Sequence, residues 1–282
     1  MNEPRLFLCT DLDRTLLPNG PQPESPRARA LFAQLVNRPQ VILAYVTGRH
    51  RTLVDRAIAN YVLPKPNFAI TDVGTKIHAR EKDHWRLWPD WEQEIERDWA
   101  GYDHAAISRL FSDLRPLRLQ ELAKQNTHKV SYYLPVQVNR VALQTEMQQR
   151  MAEKHIRASF VWSVDEPAGV GLLDVVPERA TKLHAVEFLR ERLGVSREQT
   201  LFAGDSGNDL AVMASDIPAV LVANAVQEVR RLALQEARAA GHEDALYLAR
   251  GGYLSMNGNY SAGILEGVAH FQPALRAWME NG

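Results

Sequence analysis

Asp11 and Asp13 stand two residues apart at the end of a short apolar run, Leu6-Phe7-Leu8-Cys9. On extended backbone, residues i and i+2 project to one side, so the two carboxylates would share a face. Such a pair can bind a hard cation, or divide the work of a nucleophile and an acid–base group. Three other spots carry chemistry of a matching kind. Thr47-Gly48-Arg49 follows an apolar run, and a hydroxyl with exposed backbone N–H groups at a helix N-terminus suits a phosphate. Lys182 stands early in an expected helix, where its ammonium can face an anion. Gly204-Asp205-Ser206-Gly207-Asn208-Asp209 sets two acids four apart around a turn of small residues, a spacing that can bring both to one metal. Singly, each has a bland explanation: acids in a solvated turn, a threonine N-cap, a solvated lysine, an exposed acidic loop.

The elements that would position these residues follow a regular rhythm. Leu6–Cys9 and Val41–Val46 read as buried parallel strands, with a helix of about residues 25–36 between them. Phe68–Ile70 makes a third short strand, before Asp72-Val73-Gly74-Thr75. The rhythm stops near Ala79. The next ninety or so residues are more polar and hold Trp85, Trp88, Trp91, Trp99 and Trp162, five of the six tryptophans. A helix over Trp91–Tyr102, a strand over Lys129–Leu134, a helix near 140–155 and a strand over Ala158–Val164 are expected there. Pro167-Ala168-Gly169 reads as a linker. The parallel rhythm resumes with Leu172–Val176, a helix from about Thr181 to Leu193 stopped by Gly194, strand Thr200–Ala203, a helix from Asp209 and strand Ala219–Val222. The fold class is therefore α/β: a doubly wound parallel-sheet core of residues 1–79 and 170–282, interrupted by a smaller α/β domain of residues 80–169. Strand-end loops of such a sheet converge, which brings the four polar spots together.

Composition narrows the partners. The 282 residues carry 33 Lys plus Arg against 34 Asp plus Glu. That near-balance gives no basic excess for nucleic acid or an acidic membrane surface. The single cysteine, Cys9, excludes an intrachain disulfide and any multi-cysteine zinc site. No apolar run approaches the ~20 residues of a membrane span, and the first residues lack a signal-peptide pattern. A cytoplasmic monomer is expected.

In order along the chain, Asp-x-Asp-x-Thr, strand-Thr-Gly-Arg, Lys and Gly-Asp-x-x-x-Asp resemble the four motifs of haloacid dehalogenase (HAD)-type phosphotransferases. The segment between the second and third motifs resembles the larger α/β cap of that superfamily. Val73-Gly74-Thr75, His128-Lys129-Val130-Ser131-Tyr132-Tyr133 and the Gly204–Asp209 loop look like the sucrose-phosphatase branch, and Ile264-Leu265-Glu266-Gly267 with His270-Phe271 adds to this. The resemblance implies two-step phosphoryl transfer. Asp11 would attack phosphorus and Asp13 would serve as acid, then base. Thr47 and Lys182 would hold the phosphoryl oxygens, with Gly48, Arg49 and Asn208 near them. Asp11, Asp13 (through its carbonyl), Asp205 and Asp209 would hold Mg²⁺. Gln125, Asn126, His128 and Lys129 match the stretch that contacts the sugar. One departure stands out. Most members have Gly where this chain has Arg14, a cation that would tune Asp13, touch substrate or point to solvent.

The implied substrate is a small-molecule sugar phosphate, with sucrose 6-phosphate first and another glycosyl phosphate such as mannosylfructose phosphate as the alternative. A hexose phosphomutase would use the same acidic pair. A non-catalytic module partnering a sucrose-synthesising glycosyltransferase is the reading from another class, and an active phosphatase could also associate with such an enzyme. Intact Asp11, Asp13, Lys182, Asp205 and Asp209 argue for catalysis. The tryptophans could stack on a sugar ring, but the spacing of Trp88 and Trp91 favours packing.

Overall fold

The protein is described by a computed structural model over residues 6–82, 84–165 and 168–281; Pro167 of the expected linker lies outside them. β1 (Leu6–Thr10) and β2 (Val41–Val46) are apolar runs with almost no exposure, as strands covered on both faces require. Between them α1 (Ala28–Val36) buries Ala28, Phe32, Leu35 and Val36, a helical stripe against the core. α2 (Arg51–Tyr61) leads to β3 (Phe68–Thr71). β4 (Lys76–Glu81) turns back antiparallel to β3, and β5 (His84–Leu87) ends that side of the sheet. Next come α3 (Pro89–Glu96), α4 (His104–Leu110), β6 (Arg118–Leu119), β7 (Val130–Leu134), α5 (Arg140–Ala152), β8 (Ala158–Asp165) and β9 (Val170–Pro177). The chain continues through α6 (Lys182–Leu193), β10 (Thr200–Gly204), α7 (Leu210–Met213), β11 (Ala219–Leu221) and α8 (Gln227–Ala240). β12 (Leu246–Leu248), α9 (Ser261–Phe271) and α10 (Pro273–Asn281) complete it.

The larger sheet has the order β12-β11-β10-β1-β2-β3-β4-β5, parallel from β12 to β3. The chain builds outward from β1 through β2 and β3, then returns to the opposite flank of β1 with β10. This reversal leaves a crevice at the carboxyl ends of β1 and β10, where open α/β sheets bind ligands. Register fixes what emerges there. Thr10 lies opposite Ala203 on one side and Tyr45 on the other, so Asp11, Asp205 and Thr47 leave the sheet at one end.

Two compact units divide the chain, Met1–Arg86 with Lys182–Gly282, and Leu87–Thr181. The second has its own four-stranded sheet, β6-β7-β9-β8, all antiparallel. Trp99, Ile107, Phe111, Val130, Tyr132, Met147 and Leu173 are among its core residues. Trp91 and Trp99 are fully buried, so they pack.

Three expectations differ from what is observed. Leu172–Val176, read as a parallel core strand, lies within β9, antiparallel to both β7 and β8. A short apolar run carries no direction of its own, and only its neighbours decide its sheet. The second unit thus reaches beyond Gly169 to Thr181. The helix expected over Trp91–Tyr102 is α3, which tightens into a 3₁₀ turn at Arg97–Trp99 and ends there, because Ala100 and Gly101 take φ of +50° and +84°. α4, not foreseen, begins where the Asp103 carboxylate accepts the Ala106 N–H at 2.7 Å. The helix after Asp209 is a single turn, Leu210–Met213. Among the described residues no helix is long and apolar enough to cross a membrane.

Candidate active site

Asp11 follows β1 directly and is 5% exposed, its N–H bonded to the Ala203 carbonyl of β10 at 2.9 Å. Lys182 opens α6 and is equally buried. Its Nζ donates to Asp11 Oδ1 at 3.0 Å, Asp209 Oδ1 at 2.7 Å and Asn208 Oδ1 at 3.1 Å. A buried ammonium needs such partners, and three acceptors match its three N–H bonds. Asp209 is held from the other side as well. Its Oδ2 accepts the N–H groups of Asp205 and Ser206 and the Ser206 hydroxyl, each at 3.2 Å. That approach requires a glycine at 204, where a Cβ would fall 2.5 Å from Asp209 Oδ2. Asp205 accepts the Thr15 hydroxyl at 3.1 Å.

One carboxylate oxygen from each of Asp11, Asp205 and Asp209 lies within 4.8 Å of the others. Three buried carboxylates meet two cations, Lys182 on Asp11 and Asp209 and the half-exposed Arg14 beside Asp205, so negative charge is in excess. The acids respond accordingly. Burial raises the pKa of Asp11, Asp209 and Asp205 add to this, and Lys182 opposes it. Burial and then Asp209 push Asp205 up to about 6, against Thr15, Arg14 and Lys182. Burial works against the Lys182 charge, but Asp11 and Asp209 outweigh it and hold that pKa above the ordinary lysine range. The donor set is all oxygen, which suits a hard divalent cation such as Mg²⁺.

The Asp13 carboxylate stands outside that cluster. Arg49 grips it with Nε on Oδ2 at 2.7 Å and a terminal nitrogen on Oδ1 at 2.5 Å, and Asn19 Nδ2 donates to Oδ1 at 2.7 Å. Thr47 is 2% exposed at the end of β2, and its hydroxyl oxygen accepts the Arg49 N–H at 3.2 Å. Gly48 is exposed. Arg14 does not reach Asp13; its Nε lies 3.8 Å from Asp205 Oδ2. Sequence reasoning missed Asn19 and Asn224, whose Nδ2 donates to the Arg14 carbonyl at 2.6 Å. Asn19-Gly20 carries a turn signature only, and nothing near Asn224 in sequence points to residue 14.

The stretch 125–129 lies in the second unit and behaves differently. Gln125, expected to read sugar hydroxyls, is committed to protein groups: Nε2 donates to the Gln120 and Ser131 carbonyls at 3.0 and 2.9 Å, and Oε1 accepts the Ser131 N–H at 2.7 Å. His104 Nε2 is 3.1 Å from the same oxygen. Asn126 Oδ1 accepts the His128 N–H at 2.9 Å and so shapes the turn into β7. His128 is buried edge-on to Trp99, and Lys129 is buried beside it in sequence. Asp72, at φ +54°, offers its carbonyl to the Thr75 hydroxyl at 2.8 Å and so caps a turn.

A doubly wound sheet with paired acids, lysine and threonine at its switch point defines a HAD-type hydrolase. The fold is similar to that of a sucrose-phosphatase from Synechocystis sp., solved with sucrose and phosphate, at TM-score 0.72 and 24% identity over 95% of this chain and 98% of that one. A Nitrosococcus oceani protein named only as a HAD-like hydrolase is 54% identical over 99% of this chain and 75% of its own length. Sucrose-phosphatase 1 of Nicotiana tabacum is 29% identical over 95% of this chain, which spans 59% of that enzyme. The model of the sucrose-6F-phosphate phosphohydrolase family matches residues 4–272. The chain belongs to that family and is a HAD-type sugar phosphatase.

Proposed function

We propose that the protein hydrolyses the phosphate monoester of a disaccharide, sucrose 6-phosphate first, in a Mg²⁺-dependent reaction. The observation that carries this is the convergence of Asp11, Asp205, Asp209 and Lys182 at the switch point, buried and with negative charge in excess. Asp11, Asp205 and Asp209, with the carbonyl of Asp13, would hold the cation, whose charge when bound offsets that of the nucleophile and phosphate. Asp11 attacks phosphorus to give an aspartyl-phosphate, and water then hydrolyses it. Lys182 and Thr47 take the phosphoryl oxygens, where transition-state charge collects. Asp13 passes its proton to the leaving sugar oxygen and takes one from the attacking water. Arg49 grips Asp13 in a bidentate pair, so the incoming phosphate must compete for that guanidinium before Asp13 can turn to the leaving group.

The unit Leu87–Thr181 acts in this reading as a cap that recognises the sugar, with Lys129, His128 and Asn126 as its contacts and Gln125 as their support. A glycosyltransferase that makes such a phosphate is the supplier of substrate and the expected docking partner of a monomer in the cytoplasm. Measuring phosphate release with Mg²⁺ from sucrose 6-phosphate, mannosylfructose phosphate, glucose 6-phosphate and glucose 1-phosphate tests the reading. Preference for sucrose 6-phosphate by at least about tenfold in kcat/KM is expected. Interconversion of the hexose phosphates without phosphate release would replace it with a mutase.

A further inference from the structure

Arg14 adopts a backbone conformation that its side chain disfavours. Its φ is +58°, the left-handed region open mainly to glycine. The chain holds it there from both sides. The Arg14 N–H donates to Asn19 Oδ1 at 2.8 Å, and its carbonyl accepts from Asn224 Nδ2 at 2.6 Å. Asn224 is itself buried, its Oδ1 fixed by the Tyr260 N–H at 2.8 Å. Tyr260 carries a positive φ of its own, +51°, and its hydroxyl donates to the Gln22 carbonyl at 3.1 Å. An unfavourable conformation that the surroundings hold in place, next to reacting groups, points to a task for the side chain.

The geometry narrows that task. Asp13 is already held by Arg49 and Asn19, so Arg14 is not needed there. Arg14 Nε is buried without a hydrogen-bond partner and lies 3.8 Å from Asp205 Oδ2. That separation is too long for a hydrogen bond but close for opposite charges. Asp205 turns its other oxygen to Thr15. Arg14 therefore sits against the one carboxylate of the pocket that Lys182 does not touch.

We propose that Arg14 is a resident cation of the carboxylate pocket, and that its charge beside Asp205 weakens the grip of the free enzyme on its divalent metal. This rests on the Mg²⁺ reading above. A guanidinium and a divalent ion drawn to one carboxylate repel each other, and a negatively charged substrate brought into the pocket offsets that repulsion. The metal is then held firmly with substrate and loosely without it. The Arg14 side chain is 40% exposed, so solvent damps the effect to about five- to thirtyfold in affinity.

Calorimetric titration of Mg²⁺ into substrate-free protein tests this without reference to turnover. The wild type is compared with Arg14→Gly, which relaxes the strained φ, and with Arg14→Gln, which keeps the strain and removes the charge; thermal melts check that each is folded. Tighter binding by about five- to thirtyfold in both variants is the expected result. Tightening in Arg14→Gly alone would assign the effect to the backbone and overturn the proposal. Unchanged or weaker binding in both, with the wild type binding normally, overturns it while leaving the Mg²⁺ reading intact. Absence of binding in all three proteins overturns both.

Discussion

The acidic pocket at the end of β1 and the stretch 125–129 before β7 are both rich in polar side chains, yet they stand in opposite conditions. In the pocket, the carboxylates of Asp11, Asp205 and Asp209 outnumber the cations beside them, Lys182 and Arg14, and burial penalises the charge of Asp11 and Asp205. In the second stretch, both ends of the Gln125 amide are paired with protein groups, and Asn126 Oδ1 accepts the His128 N–H. A site that remains electrostatically unbalanced has energy to gain from a ligand. A site whose amides are already paired gains little, and serves chiefly to hold a shape. Polar composition alone cannot separate the two cases, whereas the contacts can.

The largest expected effect lies in the pocket. Asp11→Asn keeps shape and loses nucleophilicity, so turnover of any phosphate monoester should fall at least about ten-thousandfold while the fold persists. Steady-state phosphate release, with circular dichroism as control, measures it. A residual rate within a hundredfold of wild type would remove Asp11 from the role of nucleophile.

Next in size is Lys129. If its buried ammonium reads sugar hydroxyls, Lys129→Ala should lower kcat/KM for sucrose 6-phosphate by about ten- to hundredfold and spare an aryl phosphate, which meets only Asp11, Thr47 and Lys182. Equal losses on both substrates would show a general defect in place of lost recognition.

How much of this was legible in the sequence follows the same division. The strands under Asp11, Thr47 and Asp205 were readable because a parallel sheet leaves apolar runs ending abruptly in polar residues, and the motif residues sit at those ends. Gly204 was part of a visible motif, though its reason, the close approach of Asp209, was not. The grip of Arg49 on Asp13 spans 36 residues and that of Asn224 on Arg14 spans 210, and no local pattern encodes such pairs. β9 was placed in the wrong sheet because Leu172–Val176 looks alike in either setting. The pairing of Gln125 with backbone was hidden for a related cause. A motif match says that a residue is there, not whether its hydrogen bonds are already taken.

A smaller effect concerns pH. Asp205 has a folded pKa of about 6, above the ordinary value of 3.8 that it regains on unfolding. Between those values the folded state binds the proton and the unfolded state does not, so this group's contribution to stability falls as pH rises from about 4 to about 6. Metal-free protein should therefore gain at most about 3 kcal/mol from Asp205 on acidification across that window. Melting curves at several pH values, with and without Mg²⁺, check this against Asp205→Asn. The variant should lack the gain, and Mg²⁺, by favouring the ionised carboxylate, should reduce it in the wild type. A wild-type profile identical to the variant's would mean that Asp205 is not penalised by burial.

The smallest effect separates support from recognition inside the second unit. Gln125 joins residues 120 and 131 through three hydrogen bonds to backbone, with His104 closing on the same amide. Removing a half-buried amide leaves those carbonyls and one N–H to find water, at a cost of about 1–2 kcal/mol. Gln125→Ala should therefore lower the melting temperature by roughly 2–8 °C. At a temperature where the variant is fully folded, kcat/KM for sucrose 6-phosphate should stay within about threefold of wild type. Lys129→Ala, compared at a temperature where it too is fully folded, should instead lose about ten- to hundredfold in kcat/KM for sucrose 6-phosphate. If Gln125→Ala instead lost tenfold or more on the sugar phosphate at unchanged stability, its amide would have to leave the backbone when substrate binds. The stretch 125–129 would then be a second site that rearranges for its ligand, and the contrast with the acidic pocket would be one of timing rather than of kind.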